Sequence, residues 1–215
     1  MSRNIEQMAG TGTELFPGVF LGPKKMNKDL PDEVLELLVE YYYNAYNKEF
    51  SSLKKIHTKS DDVIPVFSKA NTYGRLQLGS EVFGSSYSKR HINSAKIIAS
   101  FTYDDGGKDN YPGIVQFYFE HTVNFEGKDW THSLAFVKWY RPAEDRKTRF
   151  HCKINNDDNS CNIELWKKDF FELKRDCIIP IHSILCRYVE GSFSVGQRNP
   201  RKYMSVIPIN RKINI

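Results

Sequence analysis

The amino-acid sequence predicts a mainly β fold, in which a helix near the N-terminus precedes a small β-barrel. Short apolar runs rich in β-branched and aromatic residues recur from residue 64 onward, with turn residues between them. Many short strands at this spacing are typical of a small barrel or sandwich. Before residue 64, one segment has the three- and four-residue apolar spacing of a helix. The 215 residues, 40% of them hydrophobic, are enough to form one buried core.

The helix is expected over residues 29–48. Pro31 suits a first helical position, and the two acidic residues that follow it complement the positive end of the helix dipole. Apolar residues then recur at helical spacing from Val34 to Ala45. Glycines and prolines ahead of the helix predict a loop-rich, irregular lead-in, and charged residues after it predict a linker. Residues 1–63 are therefore expected to form one region.

Residues 64–195 are expected to form the β-barrel body. The turn segments Asp104–Gly107 and Glu126–Lys128 flank its longest strand. Residues 196–215 are expected to form a basic C-terminal tail that includes one last apolar run. The predicted strands are 64–67, 75–78, 96–103, 113–123, 133–140, 148–154, 162–166, 178–184 and 203–209.

Five aromatic side chains are candidates for a ligand-binding patch. The predicted strands 113–123 and 133–140 each carry one wholly apolar face. If those faces point inward, Tyr118, Phe136 and Tyr140, on the opposite faces, stand on the outer surface beside charged residues. Core packing is the alternative for each ring, because aromatic residues dominate protein interiors. The candidates are Tyr118, Phe136, Trp139, Tyr140 and Trp166.

The excess positive charge of the sequence lies at its C-terminal end. The chain has 31 Lys and Arg against 26 Asp and Glu, and the segment 196–215 contains several cations and no acidic residue. A uniformly basic, histone-like protein is therefore excluded, whereas phosphate contacts by the tail are not. A loop at residues 85–90 offers a further anion contact, with ordinary solvation as the alternative. The predicted nucleic-acid contacts are Lys89, Arg90, Arg198, Arg201, Lys202, Arg211 and Lys212.

No metal or cofactor site is predicted. The cysteines, Cys152, Cys161, Cys177 and Cys186, form no close pair, whereas structural zinc ligands occur in close pairs. Buried, reduced cysteines are expected, as in a cytosolic or nuclear protein. No apolar run is long enough to span a membrane, and the N-terminus lacks a signal-peptide pattern, so neither a membrane span nor secretion is expected.

A small metal-dependent nuclease is the alternative catalytic interpretation. Glu120 and His121 would act together with a carboxylate from a turn. Local backbone hydrogen bonding is the competing explanation for the turn carboxylates. His121 and His132 flank the Gly127 turn and can face each other across it, either as a catalytic base with its neighbour or as a cross-strand polar pair.

Three segments resemble the core of a BAH (bromo-adjacent homology) domain: Phe136–Asp145, Asn162–Trp166 and Asp176–Ile184. They contain Val-Lys-Trp-Tyr-Arg-Pro, Asn-Ile-Glu-Leu-Trp and Ile-Pro-Ile-His-Ser-Ile, in the order found in that family. The Arg-Pro pair follows Trp-Tyr one place earlier than the family pattern has it. The resemblance covers about residues 96–190. It implies an SH3-like β-barrel and a non-catalytic, chromatin-associated binding module.

From Phe16 onward the chain also resembles the C-terminal portion of proteins encoded by fungal CACTA/En-Spm-type transposons. The motifs that carry this resemblance include Arg75–Ser85, Tyr111–Gln116, Arg175–His182 and Val206–Lys212. The catalytic carboxylate domain of those proteins lies upstream of the matching portion. The resemblance therefore implies an accessory module without transposase activity.

Together these observations predict a non-enzymatic nuclear module that binds chromatin or DNA, or that docks a transposase-related or other nuclear protein. The aromatic patch would supply specificity, and the basic tail would contact phosphates. Besides the nuclease, a second alternative is a docking scaffold that pairs with another protein through the helix at 29–48. An apolar stripe should then remain on the outer face of that helix.

Overall fold

Antiparallel strands form most of the fold, which confirms the mainly β prediction. The computed structural model describes residues 11–14, 18–55, 63–103, 106–152 and 163–209. Within these ranges the helices are α1 (Asp32–Tyr46) and α2 (Arg146–Arg149). The strands are β1 (Val19–Asp29), β2 (Phe50–Ser52), β3 (Ile64–Val66), β4 (Lys69–Leu78), β5 (Glu81–Phe83), β6 (Lys96–Thr102), β7 (Lys108–Phe125), β8 (Lys128–Pro142), β9 (Glu164–Phe170), β10 (Ile178–Pro180), β11 (Ile184–Val195) and β12 (Arg201–Ile209).

One sheet contains all of these strands except β2 and β3, which form a separate parallel pair. The sheet order is β1-β4-β7-β6-β11-β12-β9-β8-β10, with β5 paired to β4. Strand β7 also pairs with β8, so the pairings of β6, β7, β8, β9, β12 and β11 form a closed circuit. Strands β1, β4 and β5 extend the sheet beyond this circuit, and β1 is an edge strand.

Strand β7 connects the circuit to this extension because it is 18 residues long. It pairs with β8 through residues 113–125. It also pairs first with β6, through residues 108–114, and then with β4, through residues 118–120. Between β6 and β4 its backbone bonds instead to the loop 84–95, where Ser86 N–H donates to Val115 O (2.8 Å). This loop is therefore anchored to the middle of the sheet.

Helix α1 confirms the predicted helix, with slightly shorter bounds. It packs against the β7–β8 hairpin and β10. Asn47 closes its C-terminus, because its left-handed backbone (φ 51°) lets its N–H donate to Tyr43 O. The exposed side of α1 carries acidic residues and Tyr43, so α1 lacks the apolar stripe expected of a helix-mediated scaffold. The buried residues of α1 are Val34, Leu35, Leu37, Leu38, Tyr41 and Tyr42.

Among the described residues, no helix is long and apolar enough to cross a membrane. Two segments differ from the predicted strands. Residues 19–29, expected as a loop-rich lead-in, form β1, which pairs with β4. The strand expected over 178–184 is divided, because β10 ends at Pro180, residues 181–183 form a 3₁₀ turn, and β11 begins at Ile184 and runs to Val195.

A strand expected over residues 148–154 is wrong. The chain there begins in α2, and the Asp145 side chain caps this short helix by accepting from Thr148 N–H (2.7 Å). Residues 153–162 lie outside the described ranges. The local capping interaction outweighs the β propensity of the apolar residues that suggested a strand.

A basic tail is also wrong as a description of residues 201–209. These residues form β12, which pairs with β11 along its length and with β9 through residues 204–206. Arg201 and Lys202, at the start of β12, are exposed, whereas residues 203–206 are buried. A boundary at residue 195 would cut through the β11–β12 hairpin, so β12 belongs to the β body.

Gly113 pairs with both β6 and β8, and a side chain there has no space. A Cβ would lie 2.5 Å from Trp139 Cε3 and 2.7 Å from Val137 Cγ1. We expect Gly113→Ala to lower the free energy of unfolding by about 1–3 kcal/mol in urea titrations, because the core would be overpacked. Gly74→Ala is the matched control, since its Cβ would meet neighbours no closer than 3.4 Å. Equal stability of the two variants would contradict this packing.

Candidate nucleic-acid interface

The aromatic residues proposed from the sequence as a ligand-binding patch are buried, so an exposed patch is wrong. None of the five side chains is accessible enough to form a surface for a partner. The exposed fractions are 0% for Tyr118, 6% for Phe136, 2% for Trp139, 7% for Tyr140 and 0% for Trp166.

The middle of the β7–β8 hairpin, residues 117–119 and 134–137, is buried on both faces, which explains this burial. Helix α1 covers one face, and a β-bulge between Val115 and Phe117 interrupts the alternation of the other. As a result, Phe117, Tyr118 and Phe119 are all buried although they are consecutive. The prediction of an exposed patch assumed that one face of these strands is open to solvent, and in the middle of the hairpin neither face is. Phe136, for example, packs on Phe117 with 5.6 Å between ring centroids.

The cations assigned to the tail occupy the β11–β12 turn or lie beyond the described part of the chain. Arg201 Nη1 lies 3.8 Å from a carboxylate oxygen of Glu144, so an acidic residue accompanies this turn. The turn is thus a weaker surface for phosphates than a run of unpaired cations. The exposed cations at the turn are Arg198, Arg201 and Lys202, while Arg211 and Lys212 are outside the described residues.

Lys89 and Arg90, the other predicted contacts, are exposed on a loop that is fixed to the sheet. Gly84 begins the loop, and an added Cβ there would clash with the backbone carbonyl of His91, so only glycine fits. The buried Ser85 hydroxyl donates to a backbone carbonyl of β4 (2.6 Å). Because the loop is held at these points, its two cations have a defined position on the surface.

Strand β1 places further lysines beside this loop. Pro23 Cδ and Ser88 Cβ both lie within 4 Å of the position that a Cβ of Gly74 would occupy. Lys24 follows Pro23 and Lys89 follows Ser88 in the chain. Strand β1 and the loop therefore lie side by side at this point, and each exposes lysines.

Strand β4 adds one more cation to this surface. Arg75 is half-buried, and its Nη1 lies 3.5 Å from Nε2 of the loop residue His91. The lysines of β1 are all exposed. We call this group of cations the basic edge; its members are Lys24, Lys25, Lys28, Arg75, Lys89 and Arg90.

Acidic residues are nearly absent from the segments that build the basic edge. Residues 18–28, 69–80 and 82–103 contain no Asp or Glu. Glu81, between two of these segments, is buried. Asp29, at the end of β1, already accepts hydrogen bonds from a lysine and a serine. The net charge of the β body does not reveal this surface, because it averages over acidic and basic segments that the fold separates. The runs of sequence without Asp or Glu were the signal that could have revealed it.

Tyr87 is an exposed aromatic residue of the same loop. Its side chain is 59% exposed, and its ring stacks on the buried ring of Phe117 with 5.0 Å between centroids and 27° between planes. Its backbone N–H donates to Gln116 O (3.2 Å). Sequence periodicity could not identify Tyr87, because it lies in a loop rather than on a helix or strand face.

His121 and His132 face each other across the β7–β8 hairpin, as their spacing around Gly127 predicts. His121 Nε2 donates to Phe67 O (2.9 Å), which leaves its Nδ1 to accept from Tyr42 Oη (2.8 Å). Tyr42 Oη in turn accepts from His132 Nδ1 (3.2 Å). The α1 residue Tyr46 completes the chain by donating its hydroxyl hydrogen to His132 Nε2 (2.6 Å).

This hydrogen-bond chain favours the structural explanation of the two histidines. Each ring nitrogen has a partner when both rings are neutral. Burial lowers the pKa of His121, and it lowers the pKa of His132 to about 4. The pair joins helix α1 to the hairpin by four polar side chains in the core.

The carboxylate that the nuclease alternative requires is engaged elsewhere. Glu120 points to the opposite face of β7 from His121 and accepts a hydrogen bond from Tyr73 Oη. In the part of the chain that the structure describes, no group of three or more His, Cys, Asp or Glu side chains could hold a metal ion. The turn residues Asp104 and Asp105 lie outside that part.

Comparison with known proteins gives no match to a family model, a curated protein or a solved structure. The candidate site is therefore defined by its own geometry. Its components are the edge strand β1, the anchored loop at 84–95 and the cations that they bring together.

Proposed function

We propose that this chain is a non-enzymatic, chromatin- or DNA-associated binding module that contacts the phosphate backbone through the basic edge. The observation that supports this proposal most is the convergence of acid-free segments. Residues 18–28 and 82–103, far apart in sequence, meet beside β4 and expose cations there. A surface rich in Lys and Arg with few carboxylates attracts polyanions, and nucleic acid is the common polyanion of cells.

The cations of the edge fit contacts to phosphates better than contacts to base edges. They follow a strand and an adjoining loop, and do not project from a helix that could enter the major groove. Lysines on an edge strand also discourage pairing with other chains. That role does not extend to Lys89 and Arg90, which lie in the loop. Phosphate contacts of this kind give sequence-independent binding, with dissociation constants of about 10⁻⁴ to 10⁻⁶ M at physiological salt.

The finer features of the proposal come from the sequence resemblances. In this proposal the closed circuit of six strands is a small BAH-like, SH3-like barrel, and the module works in the nucleus as an accessory part related to transposon proteins. The absence of a metal-binding group among the described residues gives no support to the nuclease alternative. The partner in the proposal is DNA or chromatin, with the body of the fold acting as a rigid support for the basic edge.

The test is the affinity of a charge-neutralised variant for a labelled DNA oligonucleotide, measured by fluorescence anisotropy at about 0.1 M salt. The variant combines Lys24→Gln, Lys25→Gln, Lys89→Gln and Arg90→Gln. We expect its affinity to fall at least about 100-fold, because each lost phosphate contact also removes the release of a counterion.

A matched control removes the same formal charge from other exposed positions. It combines Lys108→Gln, Arg146→Gln, Lys147→Gln and Lys174→Gln, all exposed and outside the basic edge. This control should lose less than about 10-fold, since screening weakens the effect of distant charges. If both variants lose affinity equally, or if the unaltered chain does not bind DNA, the proposed function is wrong.

A further inference from the structure

We infer that the basic edge takes single-stranded nucleic acid in preference to duplex, and that Tyr87 is the platform on which a base of the strand stacks. This inference rests on the proposed function and names the form of nucleic acid that the site selects. Three features of the described residues support it: the exposure of Tyr87, the support beneath its ring and the cations that follow it in the loop.

The ring of Tyr87 has one face covered and the other available. Its parallel stacking on Phe117 uses one face, and the 59% exposure of the residue leaves the opposite face to solvent. Phe117 is itself buried and packs on Phe119 and Phe136. The platform therefore stands on the core of the protein and not on a mobile side chain.

The backbone on both sides of Tyr87 is bonded, which fixes the direction of the ring. Ser86 N–H donates to Val115 O (2.8 Å) and Tyr87 N–H to Gln116 O (3.2 Å). Ser88 N–H donates to Ser85 O (3.0 Å). A ring held in place before binding loses little conformational entropy when a base stacks on it.

The cations are placed to follow the backbone of a strand whose base rests on Tyr87. Lys89 and Arg90 are two and three residues further along the same loop, and Pro23, which precedes Lys24 in β1, lies beside Ser88. An exposed aromatic ring next to a basic track is the arrangement that binds single strands without sequence preference. In a duplex the base faces are already stacked on one another, so no base face is available to Tyr87. A duplex would therefore bind only through contacts between its phosphates and the neighbouring cations.

The experiment compares a labelled 12-nucleotide oligo-dT with a 12-base-pair duplex at the same salt concentration. Tyr87→Leu keeps an apolar cover over Phe117 but removes the aromatic face. We expect it to weaken oligo-dT binding by about 5- to 100-fold and to change duplex binding by less than about 2-fold. Tyr87→Phe should keep the affinity of the unaltered chain. Tyr43→Leu, at an exposed tyrosine of α1, is the matched control and should change neither affinity.

A second readout does not depend on the stability of the leucine variant. In Tyr87→Trp, the new indole should be quenched by oligo-dT and should change little with the duplex. Tighter duplex binding, or an unchanged oligo-dT affinity in Tyr87→Leu, would overturn the inference while the proposed function stands. No binding of either probe would overturn the proposed function as well. Quenching of the indole equally by both probes would also contradict stacking on a single strand.

Discussion

Replacing Arg149 by methionine is expected to lower the free energy of unfolding by about 3 kcal/mol, because it leaves two half-buried carboxylates without their cation. Arg149 is 8% exposed. Its Nη1 and Nη2 donate to the two carboxylate oxygens of Asp109 (2.8 and 2.7 Å), and its Nε donates to Glu164 (2.6 Å). The guanidinium carbon lies 4.3 Å from the centroid of the Trp166 ring.

The ionisation of the two carboxyl groups shows how strongly they depend on Arg149. Burial would raise the pKa of Asp109, yet the Arg149 guanidinium holds that pKa below its ordinary value. The pKa of Glu164 is raised, because burial outweighs the attraction of Arg149 there. Without the guanidinium both groups would favour protonation, so the stability lost in Arg149→Met should be partly recovered as the pH falls from 7 toward 5.

Urea unfolding of Arg149→Met and Arg146→Met measures this effect. Arg146 is an exposed residue of the same short helix and contacts Phe150, so its replacement should cost less than about 0.5 kcal/mol. The combined replacement Arg149→Met, Asp109→Asn and Glu164→Gln should be more stable than Arg149→Met alone, since no charge is then left unpaired. Equal unfolding midpoints for Arg149→Met and Arg146→Met would contradict the account of this ion cluster.

Acid should destabilise the protein through the His121–His132 pair before most carboxylates titrate. Both histidines are neutral in the folded protein, whereas their pKa in the unfolded chain is near the ordinary value of 6.5. The unfolded chain therefore binds more protons below pH 6.5, and stability decreases as the pH falls. For His132, whose folded pKa is about 4, the loss is about 3 kcal/mol by the time the pH reaches 4.

Urea titrations between pH 7 and pH 5 test this dependence, because the carboxyl groups contribute little in that window. We expect the free energy of unfolding to fall through the window in the unaltered chain. His132→Gln should be less stable at pH 7, since the Tyr42 and Tyr46 hydroxyls lose a partner, and should show a smaller fall. His151→Gln, at an exposed position, should keep the full fall. The same slope in His132→Gln as in the unaltered chain would contradict the assignment.

Helix α1 could be predicted from the sequence because its signals are local. The acidic first turn and the apolar spacing from Val34 to Tyr42 are sufficient to place it. Strand β1 could not be predicted in this way. It is an edge strand whose residues from Pro23 to Asp29 expose their side chains wherever the structure describes them, so no apolar alternation marks it. Its conformation depends on pairing with β4, which lies about 50 residues further along the chain.

The candidate site was also only partly predictable from local sequence patterns. Lys89 and Arg90 were identifiable as a charged loop, and the structure places them on the basic edge. The contribution of Lys24, Lys25 and Lys28 depends on the β1–β4 register, which no local pattern reveals. For the aromatic candidates, the local pattern overestimated exposure. Alternation along the two strands identified which face is apolar and which is mixed, but it could not show that α1 and neighbouring strands cover both faces.

The salt dependence of nucleic-acid binding tests the central claim most directly. The logarithm of the affinity for oligo-dT should fall linearly with the logarithm of the salt concentration in the unaltered chain. Neutralising Lys24, Lys25, Lys89 and Arg90 should reduce the magnitude of this slope by about 3, since each contact with a single strand contributes about 0.7. A slope that stays the same in this variant, or that is close to zero in the unaltered chain, would contradict phosphate binding by the basic edge.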